Sequence, residues 1–295
     1  GTITVDGLTV AGNVSADGGT IKLDGNYPVG TNNVALGDGS MSAVQAGADS
    51  NTVVGHSALS SLTTGDQNSA FGRGTLNNVT TGSYNSALGF ASLNQNTGQY
   101  NTAVGAGSLQ LNTTASNNTA VGYKAGYSNT TGAYNTFLGD IAGRDNTTGS
   151  ANTAVGYGSM FEGTTTGSSN TAVGTVSMQN LSSGSYNVAI GTDSLKANTT
   201  ASQNTAVGYQ SLYTNTTGAS LSAVGVGALY ANTTGSNNVA MGTSSLVSNT
   251  TGASNTGLGR DALRSNTTAS NNTAVGYLAL TANTTADYNT AVGGN

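Results

Sequence analysis

The side chains that could catalyse a reaction or bind a metal are few and scattered. His56 is the only histidine and Glu162 the only glutamate in 295 residues, and cysteine is absent. One chain therefore cannot assemble a pair of histidine ligands, a thiolate metal site or a histidine-based catalytic triad. The Asp-Gly pairs at Asp6, Asp24 and Asp38 are typical of turns more than of calcium loops. We expect a protein that is not an enzyme and that uses no cofactor and no metal; only an assembly of copies could bring several His56 side chains together or form an active site between chains.

Tyrosine is the one residue type whose distribution suggests ligand binding. Five of the 13 tyrosines lie at one position of the repeat described below, directly before a recurring asparagine: Tyr84, Tyr100, Tyr134, Tyr186 and Tyr288. Four more directly follow a recurring glycine, as does Phe90: Tyr123, Tyr157, Tyr209 and Tyr277. Aromatic rings along a ridge can stack on sugar rings, and the tyrosine hydroxyl adds a hydrogen bond. The alternative, which we favour, is that these rings cover corners and lock neighbouring coils together.

A short repeat places these side chains. Units resembling Asn118-Thr119-Ala120-Val121-Gly122 occur 16 times, and 12 of the 15 intervals between their glycines are 17 residues long. Such a fixed short period predicts a solenoid in which each repeat stacks on the next. We expect an all-β fold, a flattened parallel β-roll of about 16 coils with two short strands and two corners in each coil. The recurring glycine, which we call the turn glycine, is expected to need either positive φ or room for the neighbouring backbone; examples are Gly55, Gly105, Gly122, Gly156, Gly208 and Gly276.

The residue before the turn glycine is apolar in all 16 copies, and we call this position the pre-glycine column. The pattern predicts a ladder of core side chains, which includes Val54, Leu88, Val104, Val121, Val155, Val173, Ile190, Val207, Val224 and Val275. The residue four after the glycine is Leu or Met in 13 of 15 copies, with Gly126 and Gly143 as the exceptions. This leucine column is expected to close the other side of the same narrow lumen.

The residue two before the turn glycine is alanine in 13 of 16 copies. This alanine column must face away from the pre-glycine column, because adjacent strand residues point to opposite faces. We expect it to form an exposed strip that packs against another copy of the chain, through residues such as Ala103, Ala120, Ala154, Ala206 and Ala274. The alternative is a strip of methyl groups left facing water. The sequence alone leaves open which of the two apolar faces is internal.

Two asparagine columns are expected at corners. An asparagine lies four residues before the turn glycine in 15 of 16 copies, with Leu221 as the exception. A second column contains Asn112, Asn129, Asn198, Asn215, Asn232, Asn249, Asn266 and Asn283. Identical amides that stack from coil to coil can form hydrogen-bonded ladders.

Charge and hydrophobicity narrow the list of partners. The net charge is −5 and only seven residues are Lys or Arg, which argues against nucleic acid and anionic membranes as partners. No apolar run is long enough to cross a membrane. Residues 1–30 alternate apolar and polar residues and read as a lead-in of short strands, and residues 31–295 form the repeat region. The absence of polar capping repeats leads us to expect an excerpt of a longer fibre.

The motifs Asn33-Val34-Ala35-Leu36-Gly37 and Asn187-Val188-Ala189-Ile190-Gly191 resemble the head repeat of trimeric autotransporter adhesins. The longer unit from Asn204 to Gly218 is similar to repeats in long tail fibres of bacteriophages. This resemblance covers most of residues 33 to 293, although the adhesin repeat is usually shorter. It implies a left-handed roll, a side-by-side homotrimer and an extracellular location on a virion tail fibre or a cell surface. The implied function is a structural shaft or adhesin, with any glycan or protein receptor bound by regions outside this chain.

A second function class remains open. Flat β faces that carry threonine can order water against ice, and threonine recurs at Thr102, Thr119, Thr153, Thr171 and Thr205. These threonines do not form a regular T-x-T pattern, and the doubled threonines lie at a turn. An ice-binding or glycan-binding solenoid that uses the Thr and Tyr faces is therefore the alternative to the fibre.

Overall fold

A computed structural model of the protein describes residues 30–294, so the predicted lead-in lies outside the described residues except for Gly30. The described chain contains 16 strands of three residues each. They are β1 (Val34–Leu36), β2 (Thr52–Val54), β3 (Ser69–Phe71), β4 (Ser86–Leu88), β5 (Thr102–Val104), β6 (Thr119–Val121), β7 (Thr136–Leu138), β8 (Thr153–Val155), β9 (Thr171–Val173), β10 (Val188–Ile190), β11 (Thr205–Val207), β12 (Ser222–Val224), β13 (Val239–Met241), β14 (Thr256–Leu258), β15 (Thr273–Val275) and β16 (Thr290–Val292). Helices are absent from this part of the chain, so none is available there to cross a membrane.

All 16 strands form one parallel sheet, and their order in the sheet is their order in the sequence. The repeat sets the register, because each residue pairs with its equivalent in the next coil: Ala103 lies opposite Ala120, and Val104 opposite Val121. The irregular intervals do not disturb this pairing, since Ala154 lies opposite Ala172 across an 18-residue coil. The predicted all-β parallel solenoid with a repeat of about 17 residues is confirmed.

The second strand predicted for each coil is absent from the described residues, and the other side of the coil is a run of turns. Two positions on this side have left-handed backbone in most coils: the leucine column, as at Leu109 (φ 46°), and the residue two before it, as at Lys124 (φ 50°). These conformations lie far from strand geometry. Backbone hydrogen bonds still join the coils, as from Lys124 N to Ala106 O (3.0 Å) and from Leu109 N to Ala125 O (2.9 Å). The prediction of two strands was therefore wrong because the leucine column packs inward from a turn.

The alanine column faces the lumen, which corrects its assignment to an exposed strip between chains. Ala103, Ala120, Ala154, Ala206 and Ala274 are completely buried within one chain. The opposing leucine column is buried too, as at Leu109 and Leu212. The lumen is narrow, and a leucine from one side leaves room for little more than a methyl group from the other.

The pre-glycine column faces outward, which corrects its assignment to the core. Leu88, Ile190 and Val224 are 51%, 42% and 38% exposed. The other members assigned to the core are half-buried: Val54, Val104, Val121, Val155, Val173, Val207 and Val275. Because strand side chains alternate, placing the small alanines inside forces the larger neighbours out.

One coil reverses the usual sizes and shows how tightly the lumen is filled. Phe137 replaces the alanine in β7 and is completely buried. The leucine column is glycine at Gly126 and Gly143, in the turns directly before and after β7. A Cβ added at Gly126 would lie 2.5 Å from Phe137 Cδ2, and one added at Gly143 would overlap the same ring. The phenylalanine therefore fills the space that two leucines leave, and the two exceptions in the leucine column have one common cause.

The buried asparagines form two hydrogen-bonded ladders along the rod. In the column before the strands, Asn118 N donates to Asn101 Oδ1 (3.0 Å) and Asn118 Nδ2 to Gly132 O (3.0 Å). In the second column, Asn129 Nδ2 donates to Asn112 Oδ1 (2.7 Å). The second column also bonds a carbonyl in its own turn, as from Asn129 Nδ2 to Gly132 O (2.9 Å), and these hydrogen bonds compensate the cost of burying the amides.

Both reasons proposed for the turn glycine apply in the structure. Gly208 has a φ of 130°, and a Cβ there would lie 2.6 Å from the carbonyl oxygen of Gly225 in the next coil. The other assigned turn glycines have φ values from 119° to 144°: Gly55, Gly105, Gly122, Gly156 and Gly276. A side chain at this position would both strain the backbone and separate the coils.

Candidate functional site

The outer sheet face is a regular surface that extends over all 16 described strands. It consists of the first and third residues of every strand, which lie on the side of the sheet opposite the alanines. The first residue is Thr, Ser or Val, and the third is always apolar. None of these residues is ionisable. The face therefore combines a row of small side chains with a row of larger apolar ones along the whole described rod.

Many of the larger side chains on this face are open to water. The pre-glycine residues with at least a third of their surface exposed are Leu36, Phe71, Leu88, Leu138, Ile190, Val224, Met241 and Val292. Near Phe71, Leu88 and Val104 the face forms a shallow apolar depression of about 200 Å³. A regular strip of exposed apolar side chains is a candidate surface for contact with another molecule.

The tyrosine column directly before the strands is exposed but interrupted. Tyr134 and Tyr186 are each 67% exposed and Tyr288 is 78% exposed. Only Tyr84 and Tyr100 lie in consecutive coils, and their rings stack with centroids 4.9 Å apart. The five predicted surface tyrosines are thus one stacked pair and three separate rings, and they do not form a continuous ridge.

A second set of aromatic rings lies on the turn side, where cations pack against them. Arg144 stacks on Phe161, with its guanidinium carbon 4.7 Å from the ring centroid. Tyr213 stacks on Tyr230 at 5.1 Å, and Lys196 lies over Tyr213. Sequence reasoning missed these pairs because they join residues about 17 positions apart; aligning the repeats by the turn glycine would have revealed them.

Most cations on the turn side lie beside a carboxylate. The hydrogen bond from Arg144 to Asp145 (2.7 Å) raises the pKa of the guanidinium, and the hydrogen bond from Lys196 to Asp193 (2.9 Å) raises the pKa of that ammonium group. Both shifts keep the cations charged. These partly exposed pairs fasten side chains to the surface and contribute little to stability.

His56 lies on the surface, with its Nε2 3.7 Å from Asp38 Oδ2. Within residues 30–294 no three side chains of the His, Cys, Asp or Glu type are grouped so that they could hold a metal ion. The candidate surfaces for recognition are the outer sheet face, the exposed aromatic rings and a groove beside His56.

Comparison of the chain with protein-family models, with curated proteins and with solved structures gives no match.

Proposed function

We propose that this chain is a non-enzymatic shaft segment of an extracellular fibre, either a virion tail fibre or a cell-surface appendage, and that three copies pack side by side. The observation that carries the proposal is the outer sheet face, an uncharged strip with an apolar side chain in every coil from Leu36 to Val292. A stable soluble chain has no structural need for such a strip, because its core is already filled by alanine, leucine and asparagine.

A second copy of the same chain fits this strip better than a globular partner. Sixteen strands at about 4.8 Å spacing give a face roughly 70 Å long. Two rows of side chains about 7 Å apart make this face roughly 10 Å wide, so each chain offers on the order of 700 Å² in total, close to the ~800 Å² that each partner buries in a standard interface. Only a partner with the same coil spacing can keep its side chains in register over that length.

The number of copies and the handedness of the coil come from the resemblance to trimeric adhesin heads, in which three left-handed rolls pack together. In our proposal the outer sheet faces of three chains point towards a common axis. The threonine and serine hydroxyls of the first strand position border this seam, and the tyrosine column lies outside it. Any receptor-binding tip lies in another part of the fibre, and this segment acts as a spacer.

The mass in solution, measured by light scattering without denaturant, tests the proposal. We expect a mass close to three times the chain mass of 28.9 kDa. The triple variant L88D/L138D/I190D places carboxylates on the outer sheet face and should give single chains that keep the circular dichroism spectrum of the wild type. The matched control Y84D/Y134D/Y186D adds the same charge in the same coils, in the tyrosine column, and should retain the trimer mass. A wild-type mass near 28.9 kDa would contradict the proposal.

One observation favours ice binding as a second candidate. The first strand position is threonine in five consecutive coils, at Thr102, Thr119, Thr136, Thr153 and Thr171. The parallel sheet holds these hydroxyls in one row, beside a row of Val and Leu. The same face cannot be buried between copies and bind ice, so a monomeric mass together with thermal hysteresis would favour this second candidate over the fibre.

A further inference from the structure

A groove on the turn side is lined by an imidazole, a guanidinium and a phenyl ring, which are rare side chains in this protein. Consecutive coils place His56, Arg73 and Phe90 directly after their turn glycines, with Asn77 and Asn94 alongside. The groove has a volume of about 250 Å³ and is open to solvent. This is below the roughly 300 Å³ at which sites for drug-sized ligands begin, so it suits one ring-sized group.

Phe90 provides a flat apolar platform at one end of the groove. Its side chain is 58% exposed, and the Arg73 guanidinium carbon lies 5.9 Å from the ring centroid. An aromatic ring that is half exposed and has polar groups beside it can stack against the C–H face of a sugar.

Arg73 is a cation without a carboxylate partner among the described residues. The other arginines of the described chain are paired: Arg144 with Asp145, and Arg260 and Arg264 with Asp261. An unpaired guanidinium is free to bind a carboxylate through two parallel hydrogen bonds. The acid nearest to His56 is Asp38, which directly follows the turn glycine of the preceding coil. Its Oδ2 lies 3.7 Å from His56 Nε2, and its side chain is 93% exposed.

The asparagines of the groove are held rigidly by the coils. Asn77 Nδ2 donates to Ser57 O and to Ser60 Oγ, both at 2.8 Å, and Asn94 Nδ2 donates to Gly74 O at 2.8 Å. Their amide groups are fixed by these bonds, and their carbonyl oxygens are left to accept hydrogen bonds from hydroxyl groups of a ligand. The pre-organised amides lower the entropy cost of binding.

We propose that this groove binds an acidic sugar, a pyranose unit with a carboxylate. The ring stacks on Phe90, the carboxylate pairs with Arg73, and the hydroxyls contact the asparagine carbonyls and His56. The proposal goes beyond the shaft function and does not depend on it, because the groove residues follow the turn glycines and are not part of the outer sheet face.

The chain contains a matched site that should not bind. Arg260 stacks on Tyr277 in the same column, at 4.7 Å. There Arg260 Nε donates to Asp261 Oδ2 (3.1 Å), and its Nη2 donates to the tyrosine hydroxyl (2.9 Å). Unlike Arg73, this guanidinium already has a carboxylate partner, although Asp261 is shared with Arg264, and a ligand carboxylate would have to compete with Asp261 for it.

Titration of the full chain with methyl glucuronide and with methyl glucoside, followed by saturation-transfer NMR, tests the proposal. We expect a dissociation constant for the glucuronide on the order of 1 mM, a value typical of a small contact, and weaker binding of the glucoside. R73Q should weaken glucuronide binding at least fivefold and leave glucoside binding unchanged, whereas F90A should weaken both. R260Q, the matched control, should change neither.

Equal binding of the two sugars, no binding of either, or an R73Q variant that binds like the wild type would overturn the proposal. Misfolding is checked by circular dichroism and by the solution mass of each variant. A change in that mass bears on the fibre proposal and not on the groove, so the two proposals fail separately.

Discussion

Phe137 and Leu138 are neighbours in β7, yet they follow different rules. Phe137 points into the lumen, is completely buried, and is accompanied by glycines at Gly126 and Gly143 that make room for it. Leu138 points outward, is 47% exposed, and belongs to a column whose size varies from Val to Phe without any matching change nearby. The inside of the roll is therefore constrained by volume, whereas the outside is constrained only to be apolar and uncharged. This exposed apolar column is the surface that the proposed contact between chains would cover.

The largest expected effect comes from a charge on the inner side of a strand. Ala206→Asp buries a carboxyl group in a lumen where the described residues include no buried cation, and we expect a loss of about 5 kcal/mol or more at pH 7. Val207→Asp, one residue away on the outer face, should cost less than about 1 kcal/mol. Urea unfolding of both variants measures the difference. The two substitutions are made in the L88D/L138D/I190D background so that assembly does not enter the comparison.

The pH dependence of Ala206→Asp provides its own control. Burial raises the pKa of the new carboxyl group in the folded state above its unfolded value of about 3.9. The loss should therefore shrink as the pH falls from 7 towards that unfolded value and reach its minimum below it, because the carboxyl group is then protonated in both states. A loss that is equal at pH 4 and pH 7 would show that steric crowding, and not charge, is responsible.

Removal of the large ring inside the lumen is expected to have the next largest effect. Phe137→Ala leaves a cavity bounded by two glycines and should cost about 3–5 kcal/mol in urea unfolding. Adding Gly126→Leu and Gly143→Leu to that variant recreates the alanine and leucine pattern of the ordinary coils. The triple variant should recover most of the loss. If it does not, the ring and the two glycines are not one compensating set.

A smaller effect is expected where the strand ends. Gly208→Ala puts a side chain on a backbone with φ of 130°, against the next coil, and should cost about 1–3 kcal/mol. Gly227→Ala is the matched control: its φ is 64°, nothing lies within 4 Å of the added Cβ, and Gln210 occupies the equivalent position with φ 53°. Thermal unfolding should therefore separate the two variants, and equal losses would contradict the steric role of the turn glycine.

The smallest effect is expected on the exposed tyrosine column. Tyr134 is 67% exposed and stacks on no other ring in the described chain, so Tyr134→Ser should change the unfolding free energy by less than about 0.5 kcal/mol. Tyr84→Ser removes the stacked pair with Tyr100 and should cost about 0.5–1.5 kcal/mol. Equal effects in urea unfolding would mean that the stacking does not stabilise the rod.

The sequence by itself determined the coil period, the parallel register and the alternation of two apolar columns. These follow from local rules: identical residues recur every 17 positions, and adjacent strand residues point in opposite directions. The glycines at Gly126 and Gly143 also stood out as exceptions, although their connection to Phe137 was visible only once three coils were stacked.

Only the tertiary structure decided which column faces inward and what closes the other side of the coil. Alanine and valine are both apolar, so hydrophobicity cannot separate them; the width left by the leucine column and the two asparagine ladders favours a small side chain, and only Val53 and Phe137 in this column are larger than a methyl group. The leucine column reaches that lumen from left-handed turn residues, which no periodicity of apolar residues reveals. The space inside a closed coil is set by side chains from neighbouring coils, which are far apart in the chain. For that reason the sequence of a single repeat does not reveal it.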